Sequence, residues 1–232
     1  MGDGHESRAP KQGEETWARA EFDVKDKGAP TDVWVPDGIV MQDATGNLAW
    51  RRGWASGVQN GSPYLRWRPY LWPSEAAWKI HVEFKRSAKA VFSTNELIVV
   101  TGIALPALDN VTELNLTTNR LGHTVRVLGL TDGKGKIGDR TSRMSGIGVR
   151  LEVDVSPDLG TGKRLTIVKV RDDQGREVES RGFGQGNSSY SFGYDPQADT
   201  KSLDFTLAVQ EVVTAEFLVK PELFQPVPPP KK

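Results

Sequence analysis

Among 232 residues there is no cysteine, which excludes disulfide scaffolds, thiolate metal centres and thiol nucleophiles. Histidine is nearly as scarce. His5, His81 and His123 are the three copies, and no H-E-x-x-H or comparable ligand spacing joins them. No metal site and no cofactor are therefore expected. Net charge is absent too, because 30 lysines and arginines balance 30 acids. Such a chain gains no long-range steering toward nucleic acid or an anionic membrane, so nucleic acid is disfavoured as a partner. No apolar run approaches the roughly 20 residues needed to cross a bilayer, and membrane insertion is not expected. The opening Met1-Gly2-Asp3-Gly4-His5-Glu6 lacks the apolar core of a signal peptide. The expectation is a cytoplasmic chain or, as the lack of cysteine suits, a mature extracytoplasmic or cell-surface segment without its leader.

Helical sequence is scarce as well. Pro73-Ser74-Glu75-Ala76-Ala77 can make one turn capped by Ser74, but strand-like sequence dominates. Short strands are expected at Asp32–Val35, Ile39–Gln42, Leu48–Arg51 and Tyr64–Leu71, separated by turn chemistry such as Pro36-Asp37-Gly38 and Thr45-Gly46-Asn47. Trp78–Phe84 alternates, with Trp78, Ile80, Val82 and Phe84 on one face and Lys79, His81 and Glu83 on the other. Glu96–Leu105 is almost wholly apolar and reads as a central strand covered on both faces. Val111–Thr117 and Thr124–Leu130 alternate again, as does Ile147–Val155 with Val149, Leu151, Val153 and Val155 inward. Asp172-Asp173-Gln174-Gly175 signals a hairpin, and Tyr190–Tyr194 is aromatic at every second position. Within Leu203–Val219 the apolar parity switches, which predicts a bulge or kink near Gln210–Thr214.

These spacings predict an all-β protein of antiparallel β-sandwiches. The expected division is a polar, mostly disordered leader (1–30), a Trp/Arg-rich N-terminal sandwich (31–140), a C-terminal sandwich (145–222) and a Pro/Lys-rich tail (223–232). The polar, glycine-rich stretch Gly133–Gly146 is the expected linker, or else a long loop of one larger sandwich. The C-terminal half resembles an immunoglobulin-type or fibronectin-type module, without the Cys…Trp…Cys signature. A second such module in tandem is the implied arrangement, and the likeness carries no function.

Chemistry-bearing motifs are few. Gly160-Thr161-Gly162-Lys163-Arg164 resembles the end of a phosphate loop, but Pro157 stands where its first glycine belongs and Arg164 replaces the magnesium-binding hydroxyl. Gly182-Phe183-Gly184-Gln185-Gly186 is not followed by a helix. Both read as hairpin loops. Asp172–Gly175 and Asp195–Asp199 offer loop oxygens to calcium, yet they are also ordinary turn sequences. Glu83, Glu96 and Asp154 are acids set in apolar strands and read as outward-facing strand residues. A hydrolase with carboxylates brought together from separate strands leaves no spacing to find. Asn60, Asn110, Asn115 and Asn187 stand in N-x-[ST] sequons and read as polar residues around turns.

The unusual concentration is aromatic. All seven tryptophans precede residue 79, and Trp50, Trp54, Tyr64, Trp67, Tyr70, Trp72 and Trp78 are interleaved with Arg51, Arg52, Arg66 and Arg68. In an extended strand Tyr64, Arg66, Arg68, Tyr70 and Trp72 share one face and Leu65, Trp67 and Leu71 the other. Pro69 argues for an edge or a bulge. The Leu/Trp face suits a core. The Arg/aromatic face, with Trp54, suits a protein interface, since Trp, Tyr and Arg are the usual anchors. Sugar stacking, single-stranded nucleic acid and internal packing use the same residues. The expectation is a non-enzymatic β-sandwich binding or structural module of a bacterial surface or extracytoplasmic assembly. Its contact residues are Trp54, Tyr64, Arg66, Arg68, Tyr70 and Trp72, and its partner is another protein or its own copies. A carbohydrate-binding module is the first alternative and a hydrolase the second.

Overall fold

A computed structural model describes residues 18–26, 28–46, 48–52, 56–59, 62–67, 77–133, 135–137, 140–141, 148–160, 162–186 and 188–220. Every regular element among them is a β-strand, and the strand pairings that are resolved are antiparallel. Among the described residues no helix is long and apolar enough to cross a membrane. The chain divides into two compact units: unit 1 is Met1–Lys85 with Val213–Lys232, and unit 2 is Arg86–Val212.

Unit 1 begins with β1 (Ala18–Glu21), β2 (Lys25–Asp26), β3 (Ala29–Pro30), β4 (Trp34–Asp43), β5 (Leu48–Arg52), β6 (Ser56–Gln59), β7 (Ser62–Trp67) and β8 (Trp78–Arg86). Its described core is Ile39 and Met41 of β4 with Trp78, Ile80 and Val82 of β8. The alternation of Trp78–Phe84 is realised: Trp78, Ile80 and Val82 are buried, and Phe84 meets Phe22 edge to face at 5.5 Å. Glu83 is buried too, unlike Lys79 and His81 on its face.

Unit 2 holds β9 (Leu97–Ala104), β10 (Val111–Arg120), β11 (His123–Asp132), β12 (Lys136–Ile137), β13 (Arg140–Thr141), β14 (Val149–Ser156), β15 (Lys163–Asp172), β16 (Ser180–Gln185), β17 (Ser189–Tyr194) and β18 (Ser202–Glu211). One sheet runs β10-β11-β14-β17-β16 and another β15-β18-β9. A single buried cluster draws on both: Val125, Val127, Leu151, Val153, Tyr190 and Tyr194 from the first, Ile98, Leu165, Phe205 and Leu207 from the second. The inward residues expected in β14 and the aromatics of β17 all belong to it. The chain then returns to unit 1 as β19 (Val213–Val219), which pairs with β8 and completes a sheet of order β19-β8-β4-β5; a second sheet runs β1-β7-β6.

Several sequence expectations meet a different outcome. The segment Gly133–Gly146 does not divide compact units: β11 pairs directly with β14 across it, and it carries the small pairing of β12 with β13. The parity switch near Gln210–Thr214 is neither a bulge nor a kink within one strand. It is the break at Val212 where the chain passes from β18 of unit 2 to β19 of unit 1, two strands of different sheets. Glu96–Leu105 is not central: β9 lies at a sheet edge and buries alternate residues, Ile98 and Val100, while Val99 is exposed. Its outward positions are apolar, which hid the alternation from the sequence. Pro36-Asp37-Gly38 is not a turn but lies within β4. Gly160–Arg164 is not a hairpin loop: Lys163 and Arg164 open β15, which lies in a different sheet from the preceding β14. Gly182–Gln185 belongs to strand β16 rather than to a loop.

A fully buried glutamine gathers the two ends of unit 2. Gln210 accepts from the Arg86 backbone N–H at 2.7 Å, donates to the Arg86 carbonyl at 3.0 Å and bonds the Thr166 hydroxyl at 2.8 Å. Gly129 shows the same economy of space: it adopts φ 145°, and a Cβ there would strike the Thr112 carbonyl across the bulged β10–β11 pair.

Candidate functional site

The Arg/aromatic strand folds as β7, the middle strand of its three-stranded sheet. β7 ends at Trp67, and Pro69, where an edge or a bulge was expected, lies outside the described residues. Register places Tyr64 opposite Glu21 and Arg66 opposite Arg19 on β1, with Gly57 of β6 opposite Tyr64 from the other side. Leu65 and Trp67 are in register with Ala20 and Ala18 of the same ladder. Trp54, Arg68, Tyr70 and Trp72 lie outside the described residues.

The two oxygen-rich loops do come together, but around an arginine. Arg176 donates from Nε to Asp172 Oδ2 at 2.5 Å, from Nη2 to Asp199 Oδ1 at 2.7 Å and from Nη1 to Gln197 Oε1 at 2.5 Å. Asp172 is 3% exposed and also accepts the backbone N–H groups of Gln174 and Arg176. Burial pushes the Asp172 carboxyl up, but the hydrogen bonds from Arg176 and Gln174 outweigh it and leave its pKa lowered. Bonds from Arg176 and then Gln174 bring Asp199 down to about 2. The same partners, Asp199 first and Asp172 second, push the guanidinium further up. The chemistry is a cation already supplied by the chain. Among the described residues no group of three or more acids and histidines is placed to hold a metal.

His123 is buried. The Pro157 carbonyl, 2.9 Å from Nδ1, can only accept, so Nδ1 carries the hydrogen. Nε2 then accepts from Lys163 Nζ at 3.2 Å, and Lys163 donates as well to the Leu121 carbonyl at 2.7 Å. This network pins the β10–β11 turn and the segment after β14 to the start of β15. His81 lies 3.5 Å from Glu216, which Lys79 also reaches at 2.9 Å.

The acids singled out by sequence do not converge. Glu83 belongs to unit 1 and lies opposite Thr214. Glu96, just before β9, is ion-paired with Arg86, whose guanidinium also sits 4.5 Å over the Phe92 ring. Burial raises the Glu96 carboxyl, but Arg86 and Ser93 outweigh that and leave it lowered. Asp154 is in β14, in register with Arg126 and Ser189. Its neighbour two along, Glu152, accepts from the Ser191 hydroxyl at 2.9 Å. Sequence reading passed over Arg176 and Gln210, and a lone arginine or glutamine carries no spacing signal. It also passed over the exposed edge of β19, whose trace is the apolar residues on both parities of Val213–Val219.

No protein-family model, no curated protein and no solved structure matches this chain, so the class that can be stated is an all-β protein of antiparallel sheets.

Proposed function

We propose that this chain is a non-enzymatic binding or structural module of β-sandwich architecture. It serves a bacterial surface or extracytoplasmic assembly and contacts a protein partner through the Arg/aromatic face. The observation that carries the reading is the register of β7, which pairs Tyr64 with Glu21 and Arg66 with Arg19 and so aligns the Arg/aromatic strand with further charged residues. Trp54, Arg68, Tyr70 and Trp72 extend the same contact set. The sandwich reading draws support from unit 2, where residues of two antiparallel sheets contribute to one buried cluster; an immunoglobulin-type module is built on that plan.

The test is a photo-crosslinking residue, p-benzoylphenylalanine, placed at Tyr64 and, as a control, at the exposed Asp109 of unit 2. A discrete protein adduct from position 64 alone is expected. Titration with a panel of polysaccharides supplies the opposing result. A saturable change in tryptophan fluorescence, lost in Trp54→Ala or Trp72→Ala, would replace the protein partner with a carbohydrate.

A further inference from the structure

Sheet edges invite pairing with other chains, and proteins blunt them with bulges, charges and proline. Unit 2 blunts the edges of its sheets. β10 is bulged between Glu113 and Leu116, with Asn115 at φ 52°. β15 is irregular between Ile167 and Lys169 and carries Lys163, Arg164, Lys169 and Arg171. β16 is irregular between Ser180 and Gly182. On β9 the Leu97 carbonyl is occupied by Arg120 Nε at 2.6 Å.

The β19 edge of unit 1 has none of these devices. It follows β8 without a register shift from Val213 to Val219 and contains no proline and no basic residue. Its one acid, Glu216, is held on its own sheet by Lys79 and His81. Among the described residues no strand lies on its other side. Val213 and Phe217 are opposite Phe84 and Ile80, on the face that buries Ile80 and Val82, yet they are 53% and 41% exposed. Leu218, on the other face, is 77% exposed.

We infer that β19 is a self-association strand whose occupant is the β19 of a second copy of this chain, paired antiparallel about a two-fold axis at Ala215. This register sets Val213 opposite Phe217 of the second copy and the reverse, covering the apolar face where it is open. It sets each Glu216 opposite Thr214, so the two carboxylates do not meet. An axis at Glu216 would place the like charges directly opposite each other, which disfavours it. The contact is isologous and closed, yielding a dimer and not a fibre.

The register makes the test specific. The full chain is examined by sedimentation equilibrium up to about 100 μM, beside Val213→Glu, Phe217→Lys and their equimolar mixture. The wild type is expected to dimerise, and each variant alone to shift at least about tenfold toward monomer. The mixture is expected to recover dimer, because the carboxylate introduced in one copy then faces the ammonium group introduced in the other. Circular dichroism establishes that each variant is folded; Leu218→Lys, at the most exposed large hydrophobic of the strand, serves if either is not. A wild type that stays monomeric over the whole range overturns the inference. So does a dimer that survives both substitutions, which would place the contact elsewhere, including on the Arg/aromatic face. Loss in each variant without recovery in the mixture overturns the Ala215 register.

Discussion

Unit 2 is one continuous stretch whose buried cluster takes alternate residues from β9, β11, β14, β15, β17 and β18. Unit 1 starts at the N-terminal side, is interrupted by all of unit 2 after Lys85, and finishes with β19 against β8. A continuous unit can collapse on contacts made entirely within its own segment. An interrupted one must wait for a strand that arrives after the insertion, at a larger cost in loop closure. The contrast extends to the surface: unit 2 protects its edges, whereas unit 1 leaves β19 smooth and apolar. The late-arriving strand is thus both the closing element of its own sheet and the strand proposed to pair with another copy.

The comparison can be broken most forcefully in the core of unit 2. Phe205→Ala removes a fully buried ring that meets Tyr194 at 5.4 Å, and a loss of about 3–5 kcal/mol is expected. Calorimetry should show the unit 2 transition moving while the unit 1 transition stays. A single transition moving as a whole would mean that the two units unfold together.

Arg176→Met is expected to rank second, because it strips the guanidinium from the buried Asp172 carboxylate. Together with the Arg86–Glu96 pair, this cluster gives unit 2 an acid limb. Asp172, Asp199 and Glu96 have lowered folded pKa values, so the folded state binds fewer protons than the unfolded chain. Their contribution is complete above the ordinary carboxylate range near pH 4 and is lost as pH falls toward about 2. Thermal melts at about pH 6 and pH 3 should therefore show the unit 2 transition falling in acid, and Arg176→Met should flatten that dependence.

Gln210→Leu comes third. It leaves the Arg86 N–H and carbonyl without their side-chain partner where the ends of unit 2 meet, for an expected loss of about 2–3 kcal/mol in chemical denaturation. The smallest effect has the opposite sign. Among the described residues the buried Tyr194 hydroxyl has no hydrogen-bond partner, and burial raises its pKa. Tyr194→Phe should be neutral or stabilising by up to about 1 kcal/mol, and a clear loss would show that the hydroxyl is satisfied.

Strand content was legible wherever one face met a core and the other met water. Val149, Leu151, Val153 and Val155, or Trp78, Ile80 and Val82, alternate in sequence as they do in burial. Legibility failed where outward positions were apolar, as at Val99, and where two strands joined end to end, as at Val212. Of the proposed contact face, the i, i+2 spacing of Tyr64 and Arg66 was readable from the sequence itself. Their alignment with Glu21 and Arg19 was not, because register between strands depends on which strands pair.

By itself the sequence determined the class: period-two patterning, dense turn chemistry and the absence of cysteine leave packed β-sheets as the way to bury these residues. Tertiary structure alone decided that the chain leaves unit 1 at Lys85 and returns at Val213, that an arginine gathers the acidic loops, and that β19 ends up at an edge. The reason is physical. Alternation is written along one strand by local geometry, whereas partners and edges are set by contacts between residues far apart in the chain, which carry no local signature.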